Sequence, residues 1–163
     1  RDIIYKPLRK GRLDRGGSES IIFTNPVNHK AASQLDKVAY SPTLLQQYVH
    51  KQLELRITVI GAQVFAVSLD SQAIPEAKHD WRRALNSGIN QQIFKLPLEI
   101  ENMCRAYVKA LGLEFGAIDL ILTPDGQYVF LEINPNGQWA WIQQVCPSIP
   151  LRETLADLLI HCK

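Results

Sequence analysis

The chain has no apolar run approaching the ~20 residues a membrane-crossing helix needs. It carries no signal peptide, so a cytoplasmic setting away from membranes is the expectation. Cysteine is scarce: Cys104, Cys146 and Cys162 are far apart and odd in number. They match neither a zinc spacing nor a disulfide framework, and buried structural thiols are expected. Strong charge is lacking too. A formal net charge of +2 gives no argument for a nucleic-acid partner, although Lys6, Arg9, Lys10, Arg12 and Arg15 lean towards the N-terminus. There are no repeats and no low-complexity tracts. With 46% hydrophobic and 21% charged residues the composition excludes disorder and fibres, and 163 residues suffice for one domain or two small lobes with a sizeable core. An initiator Met is also missing. The chain opens at Arg1 directly into an apolar stretch, which reads as a piece of something longer.

The residues that are present order themselves into an α+β pattern dominated by antiparallel hairpins. Asp2 to Leu8 reads as a short strand stopped by Pro7. Residues 10–20, with three glycines, read as a mobile loop. Ile21 to Thr24 reads as a second short strand, and Asn25 to Pro42 as polar chain with a helical turn or two. Leu53, Leu55, Ile57 and Val59 alternate with Glu54, Arg56 and Thr58, the period of a half-buried strand. Gly61-Ala62 turns it into a second strand, Gln63 to Leu69. Ser71 to Leu96 is a long irregular excursion carrying His79-Asp80-Trp81-Arg82-Arg83, and long loops in compact domains are often functional. Pro97 to Leu111 reads as a helix with Pro97 at its start, Gly112 at its stop, and one buried face at Ile100, Met103, Cys104, Tyr107, Val108 and Leu111. Ala117 to Leu122 and Gln127 to Ile133 are strands joined by the turn Thr123-Pro124-Asp125-Gly126. A final amphipathic helix runs from Leu151 to Ile160.

Two acids interrupt the last hairpin's apolar strands: Asp119 and Glu132. Such charges are costly to bury unless paired or bound to metal. If Asp125-Gly126 forms an even turn, Asp119 falls opposite Glu132, with Cβ atoms ~5 Å apart. Two carboxylates so placed repel unless a cation lies between them. Asn134, two residues on, adds a neutral oxygen on the same face, and an all-oxygen set suits Mg²⁺. A three-residue bulged turn would separate the acids. Edge charges, or acids paired with arginines, fit the same pattern, which by itself leaves the choice open. Glu54 and Arg56 share a strand face, and a strand-borne arginine suits phosphate oxygens, although a solvent-facing charge is the commoner case. The glycines at 11, 16 and 17 fit no Walker pattern.

Taken in order, these features resemble the ATP-grasp superfamily over essentially the whole chain. They are Ile4-Tyr5-Lys6-Pro7-Leu8, the glycine loop, Leu45-Gln46-Gln47-Tyr48-Val49, Glu54-Leu55-Arg56, the Gly-x-Ile-Asp strand, and Phe130-Leu131-Glu132-Ile133-Asn134-Pro135-Asn136. Asp80-Trp81-Arg82-Arg83 and Asn134 to Trp139, with its Gly-Gln-Trp run, are most similar to the microviridin-type (graspetide) maturases of ribosomally made peptides.

The resemblance implies two α+β lobes with antiparallel sheets gripping ATP: residues 1–45 as part of the small lobe, residues 46–163 as the large one. Lys6 is then expected on the α/β-phosphates, with Gly16 and Gly17 covering them. Gln47, Tyr48 and Val49 line an adenine slot, and Lys51 or Glu54 lies near the ribose. Asp119, Glu132 and Asn134 hold Mg²⁺. Arg56 and Arg82, helped by Arg83, stabilise the transferring phosphoryl group. The implied enzyme is an ADP-forming ligase. It activates a carboxylate as an acyl phosphate and passes it to a hydroxyl or amine, macrocyclising a precursor peptide with leader and core. A homodimer is compatible with this. An amino-acid or glutamate ligase and a non-catalytic nucleotide-binding module remain as rivals. ATP-grasp enzymes carry a preceding pre-ATP-grasp domain and an earlier ATP-contacting lysine, neither of which occurs in these residues. Such a piece is expected to bind nucleotide weakly or to hold the fold without turnover.

Overall fold

The computed structural model describes residues 2–7, 12–14, 16–17, 19–40, 43–84 and 88–161. Arg9, Lys10, Gly11, Arg15 and Cys162, singled out above, lie outside them. Every strand pairing among the described residues is antiparallel. No described helix is long and apolar enough to cross a membrane.

A three-stranded sheet has β1 (Ile3–Pro7) between β4 (Asn25–Pro26) and β5 (Thr43–Gln47). The segment expected to be a loop instead contains a hairpin of β2 (Arg12–Asp14) and β3 (Glu19–Ile21). Gly16 and Gly17 lie between its strands at φ +64° and +97°, conformations that L side chains resist. The strand expected over Ile21 to Thr24 is therefore divided: Ile21 ends β3 and pairing resumes at Asn25. Helix α1 (His29–Ala32) follows β4, capped by Asn28, whose Oδ1 accepts the Ala31 N–H at 2.9 Å.

The larger sheet has five strands in the order β10-β9-β6-β7-β8. β6 (Leu53–Ile60) lies at its centre, between β7 (Gln63–Leu69) and β9 (Phe115–Leu122). The alternation of β6 predicts one wet face, yet both faces are buried. The sheet is covered twice. On one side α2 (Leu98–Ala110) packs Cys104 and Val108 against Leu55, Ile57, Val59, Ile118 and Leu120. On the other, α3 (Ala140–Val145) and α4 (Leu151–His161) pack Ile142 and Leu151 against Ile60 and Val67. Gly112, at φ +69°, stops α2 as expected. The buried stripe of α2 is narrower than its spacing predicts, because Met103, Tyr107 and Leu111 are exposed; Tyr107 meets the ring of Phe130 edge-on. The excursion after β7 is less irregular than expected. It holds three 3-10 turns and a short edge strand, β8 (Gln91–Ile93), paired with β7.

The register of β9 with β10 (Tyr128–Asn134) decides where the two acids go. The turn is not even. Thr123 N–H donates to Gln127 O at 2.9 Å, which encloses Pro124-Asp125-Gly126 as a three-residue loop, with Gly126 at φ +83°. Phe130 accordingly pairs with Leu120. Continued unchanged, that register would set Glu132 opposite Ile118, on the apolar α2 side. A β-bulge at Leu131 intervenes, and Glu132 pairs with Asp119 while Asn134 pairs with Ala117. The even turn was the wrong premise; an extra residue in β10 restores the juxtaposition.

Candidate functional site

The face of the large sheet opposite α2 carries the charged residues. Glu54 and Arg56 lie two positions apart on β6, hence ~7 Å along the strand, and both are buried. Each has an oppositely charged partner, and around each a cluster forms.

At Glu54 the partner is Lys51, whose Nζ donates to Oε1 at 2.7 Å; the two side chains are 4% and 10% exposed. The Ser71 hydroxyl also bonds to Glu54. Burial still pushes the Glu54 carboxyl above its ordinary range, because Lys51 offsets only part of the cost of desolvation. Tyr48 stands close enough to feel this carboxylate and is raised, first by burial and then by Glu54 and Asp2. Its ring meets those of His50 and His79 edge-on at 5.0 and 5.2 Å. The His79 imidazole is pushed below its ordinary range, first by burial and then by Lys51, and its buried Nδ1 has no partner among the described residues. Tyr48 is tied to the residue just before β1 through its N–H, which donates to Asp2 O at 2.8 Å. Tyr48, Lys51 and Glu54 thus lie together, with Lys51 and Glu54 bonded to each other. Gln47 closes β5 on an exposed position and Val49 is half-buried.

At Arg56 the partner is Asp119, directly opposite on β9, with Nη1 to Oδ1 at 2.8 Å. Arg56 Nη2 donates to Gln138 O at 3.0 Å, and its buried Nε has no partner among the described residues. The 137–138 segment lies flat on the sheet to reach it. A Cβ at Gly137 would come within 2.4 Å of Ala117 Cβ and 2.9 Å of Arg56 Nη2, so the approach needs glycine. The Asp119 carboxyl is raised by burial; Arg56 pulls it part of the way back, and the charge of Glu132 pushes it up again. The charge of Arg82 also pulls the Asp119 carboxyl down, yet it stays above its ordinary range. Glu132 is exposed and has no ion pair among the described residues, while Asn134 Oδ1 is oriented by the Asn136 N–H at 2.9 Å.

The open alternatives at the acid pair are therefore not exclusive: Asp119 is arginine-paired through one oxygen, and its second oxygen, Glu132 and Asn134 remain. Those are hard oxygen donors, which fit a Mg²⁺ ion that takes its other ligands from water and phosphate. Among the described residues no group of three or more His, Cys, Asp or Glu gathers, so a cation at the pair would need the amide, water or a ligand to complete its shell.

Arg82 and Arg83 lie in the 3-10 turn Trp81–Ala84. The Arg82 guanidinium is bonded to Asp80 and within the influence of Glu132 and Asp119. Arg83 points elsewhere, with Nη2 donating to Asn25 Oδ1 at 2.6 Å and its guanidinium over the Phe23 ring at 4.7 Å. Lys6 is half-buried on β1, paired with Leu44. Ser71, His79 and Asp80 had no role assigned from sequence, although His79 and Asp80 belong to the cluster His79-Asp80-Trp81-Arg82-Arg83 that stood out there.

Residues 17–156 match the model of the RimK-like ATP-grasp domain. A Chryseobacterium gregarium RiPP-associated ATP-grasp ligase, solved with ADP and a leader and core peptide, superposes with a TM-score of 0.92 at 34% identity, over 99% of this chain and 49% of its own. The macrocyclase MdnC of Microcystis aeruginosa MRC, bound with precursor peptide MdnA, gives 0.84 at 34% identity, over 99% and 50%. Human N-acetylaspartylglutamate synthase A is 28% identical over 109 residues, 64% of this chain and 26% of that protein. The chain thus spans about half the length of the solved ligases it matches.

Proposed function

This chain belongs to the RimK-like ATP-grasp family, and on that premise we propose that it forms the ATP-binding and metal-binding part of an ADP-forming ligase acting on a peptide carboxylate. The observation that carries this reading is the opposed Asp119 and Glu132 pair, with Arg56 and Arg82 both acting on it. Tyr48 and the Lys51–Glu54 pair, ~7 Å further along β6, offer the adenosine end of ATP an aromatic edge and a bonded acid–base pair. Gln47 and Val49 flank it, and Lys6 with Gly16 and Gly17 serve the phosphates.

Asp119, Glu132 and Asn134 would hold Mg²⁺. When bound, the ion supplies charge neutralisation to the ATP phosphates. In the reaction a carboxylate attacks the γ-phosphate, giving an acyl phosphate and ADP, and a hydroxyl or amine then displaces phosphate to leave an ester or amide. Arg56 and Arg82 stabilise the charge on the transferring phosphoryl group. Arg56 is held in place by Asp119 and by Gln138 O, so little reorganisation is needed at the moment of transfer. Arg83, turned towards Asn25 and Phe23, is a structural helper instead.

The 34% identity with two peptide-bound ligases supports a precursor peptide as the carboxylate substrate, and a cytoplasmic setting fits a reaction that consumes ATP. The similarity to N-acetylaspartylglutamate synthase A favours a second reading, a ligase for free amino acids. Calorimetry tests the nucleotide part: ATP binding should require Mg²⁺ and be lost in Glu132→Ala. Binding that is independent of Mg²⁺, or unchanged by that substitution, would sink the ligand assignment. Mass spectrometry separates the substrates, since incubation with ATP and a precursor peptide should remove one water per ring.

A further inference from the structure

Asp80 is a buried acid that the mechanism leaves unused. It is 4% exposed, where an ionised carboxylate persists only with partners. Four donors serve it. Oδ1 accepts Arg82 Nε at 2.8 Å and the Arg82 N–H at 3.2 Å, while Oδ2 accepts Arg82 Nη2 at 2.6 Å and the Thr24 N–H at 2.9 Å. The two oxygens grip the guanidinium side-on, the strong two-point geometry of arginine with carboxylate. The bond to Thr24 reaches across 56 residues of sequence, to a buried position just before β4. Arg83 fastens the same two stretches through Asn25 and Phe23.

Asp80 therefore does two things at once. It fixes an arginine whose side chain is 51% exposed and which would otherwise sample many rotamers. It also ties that arginine to the three-stranded sheet. The fixed guanidinium lies where the charges of Glu132 and Asp119 act on it. Resting on the nucleotide reading of this site, we propose that Asp80 is a positioning residue. It holds Arg82 ready for the ATP phosphates beside Asp119 and Glu132, and through Thr24 it makes that placement depend on the docking of the small sheet.

The test is a double-mutant cycle of Asp80→Asn and Arg82→Ala in the full chain, with ATP and AMP as probes in the presence of Mg²⁺. Both single variants should weaken ATP binding on the order of 10–100-fold, the usual cost of losing an orienting partner, and leave AMP, which lacks the outer phosphates, almost unaffected. With Arg82→Ala already present, Asp80→Asn should add less than about 2-fold, because two residues acting as one unit are not additive. Equal losses of ATP and AMP, or effects that multiply in the double variant, would overturn the proposal while leaving the proposed function intact. A wild type that binds neither nucleotide removes that function, and the positioning role with it. Hydrogen exchange at the Thr24 amide reads the tie without any ligand: it should quicken in Asp80→Asn and hold in Arg82→Ala. Unchanged exchange in Asp80→Asn would overturn the link to the small sheet.

Discussion

Lys51 and Glu54 share a 2.7 Å bond with both side chains nearly sealed from solvent. Removing one partner of such a pair leaves an uncompensated buried charge, which costs far more than the pair contributes. Lys51→Met should destabilise the chain by about 3 kcal/mol at neutral pH, measured by urea unfolding. Glu54 already sits above its ordinary 4.5 with Lys51 present, and without it will rise further. A raised carboxyl favours the fold below the unfolded value and loses that advantage as pH rises through the folded one. The deficit of Lys51→Met should therefore shrink as the pH is lowered towards 5, and Glu54→Gln added to it should recover most of the loss at pH 7.

Gly137 is predicted to tolerate no side chain. A Cβ there would fall 2.4 Å from Ala117 Cβ, so Gly137→Ala must lift the strap off the sheet and break the bond from Arg56 to Gln138 O. The expected cost is about 1–3 kcal/mol, the range for overpacking a filled site, read as a lower midpoint in thermal or urea unfolding. Ala117→Gly in the same chain should restore a measurable part of it. Failure of the pair to couple would mean the segment yields without strain.

Deleting Leu131 should remove the bulge and leave the acid pair. With Phe130 still opposite Leu120, Glu132 would follow it directly and fall opposite Asp119 as an ordinary ladder pair. Mg²⁺-dependent ATP binding, followed by calorimetry, should therefore persist in the deletion variant as it does in Leu131→Ala. Loss of that binding in the deletion alone would mean that the added twist of the bulge, and not the pairing, aims Glu132.

Asp80 gives a second pH signature of opposite sign. Burial alone would raise its carboxyl, but the hydrogen bonds from Arg82 and Thr24 outweigh that, and it lies below its ordinary 3.8. A depressed carboxyl stabilises above the unfolded value and loses that contribution as pH falls through the folded one. Wild type should lose stability from about pH 4 downwards, and Asp80→Asn should show a flatter acid limb in unfolding curves taken from pH 6 to pH 2.

Much of this was legible from the sequence because periodicity and turn residues are local. β6 and β7 follow from alternation around Gly61, and α2 from Pro97 and Gly112. What failed was of two kinds. Short pairs such as β2 with β3, and the edge strand β8, carry too few residues for a period to show. The second kind depends on distant chain: both faces of β6 are buried because α2 and α3 cover it from opposite sides, and Asp80 has a partner at Thr24 that no spacing announces. Asp119 and Glu132 were read as neighbours for a reason that was half wrong. The bulge that sets them together falls in Phe-Leu-Glu-Ile-Asn, where nothing in the residue types marks Leu131 as unpaired.

Leu131 is a spare residue in the hairpin of β9 and β10. Between the acids and the loop the two strands pair residue for residue, Leu120 to Thr123 with Phe130 to Gln127, so the loop length does not decide whether the carboxylates meet. The even count of residues that separates Asp119 from Glu132 in the sequence is a sum of two odd parts, the loop Pro124-Asp125-Gly126 and Leu131. Turn and acid pair are therefore independent: the loop can gain or lose a residue while the strands keep both carboxylates on the same face.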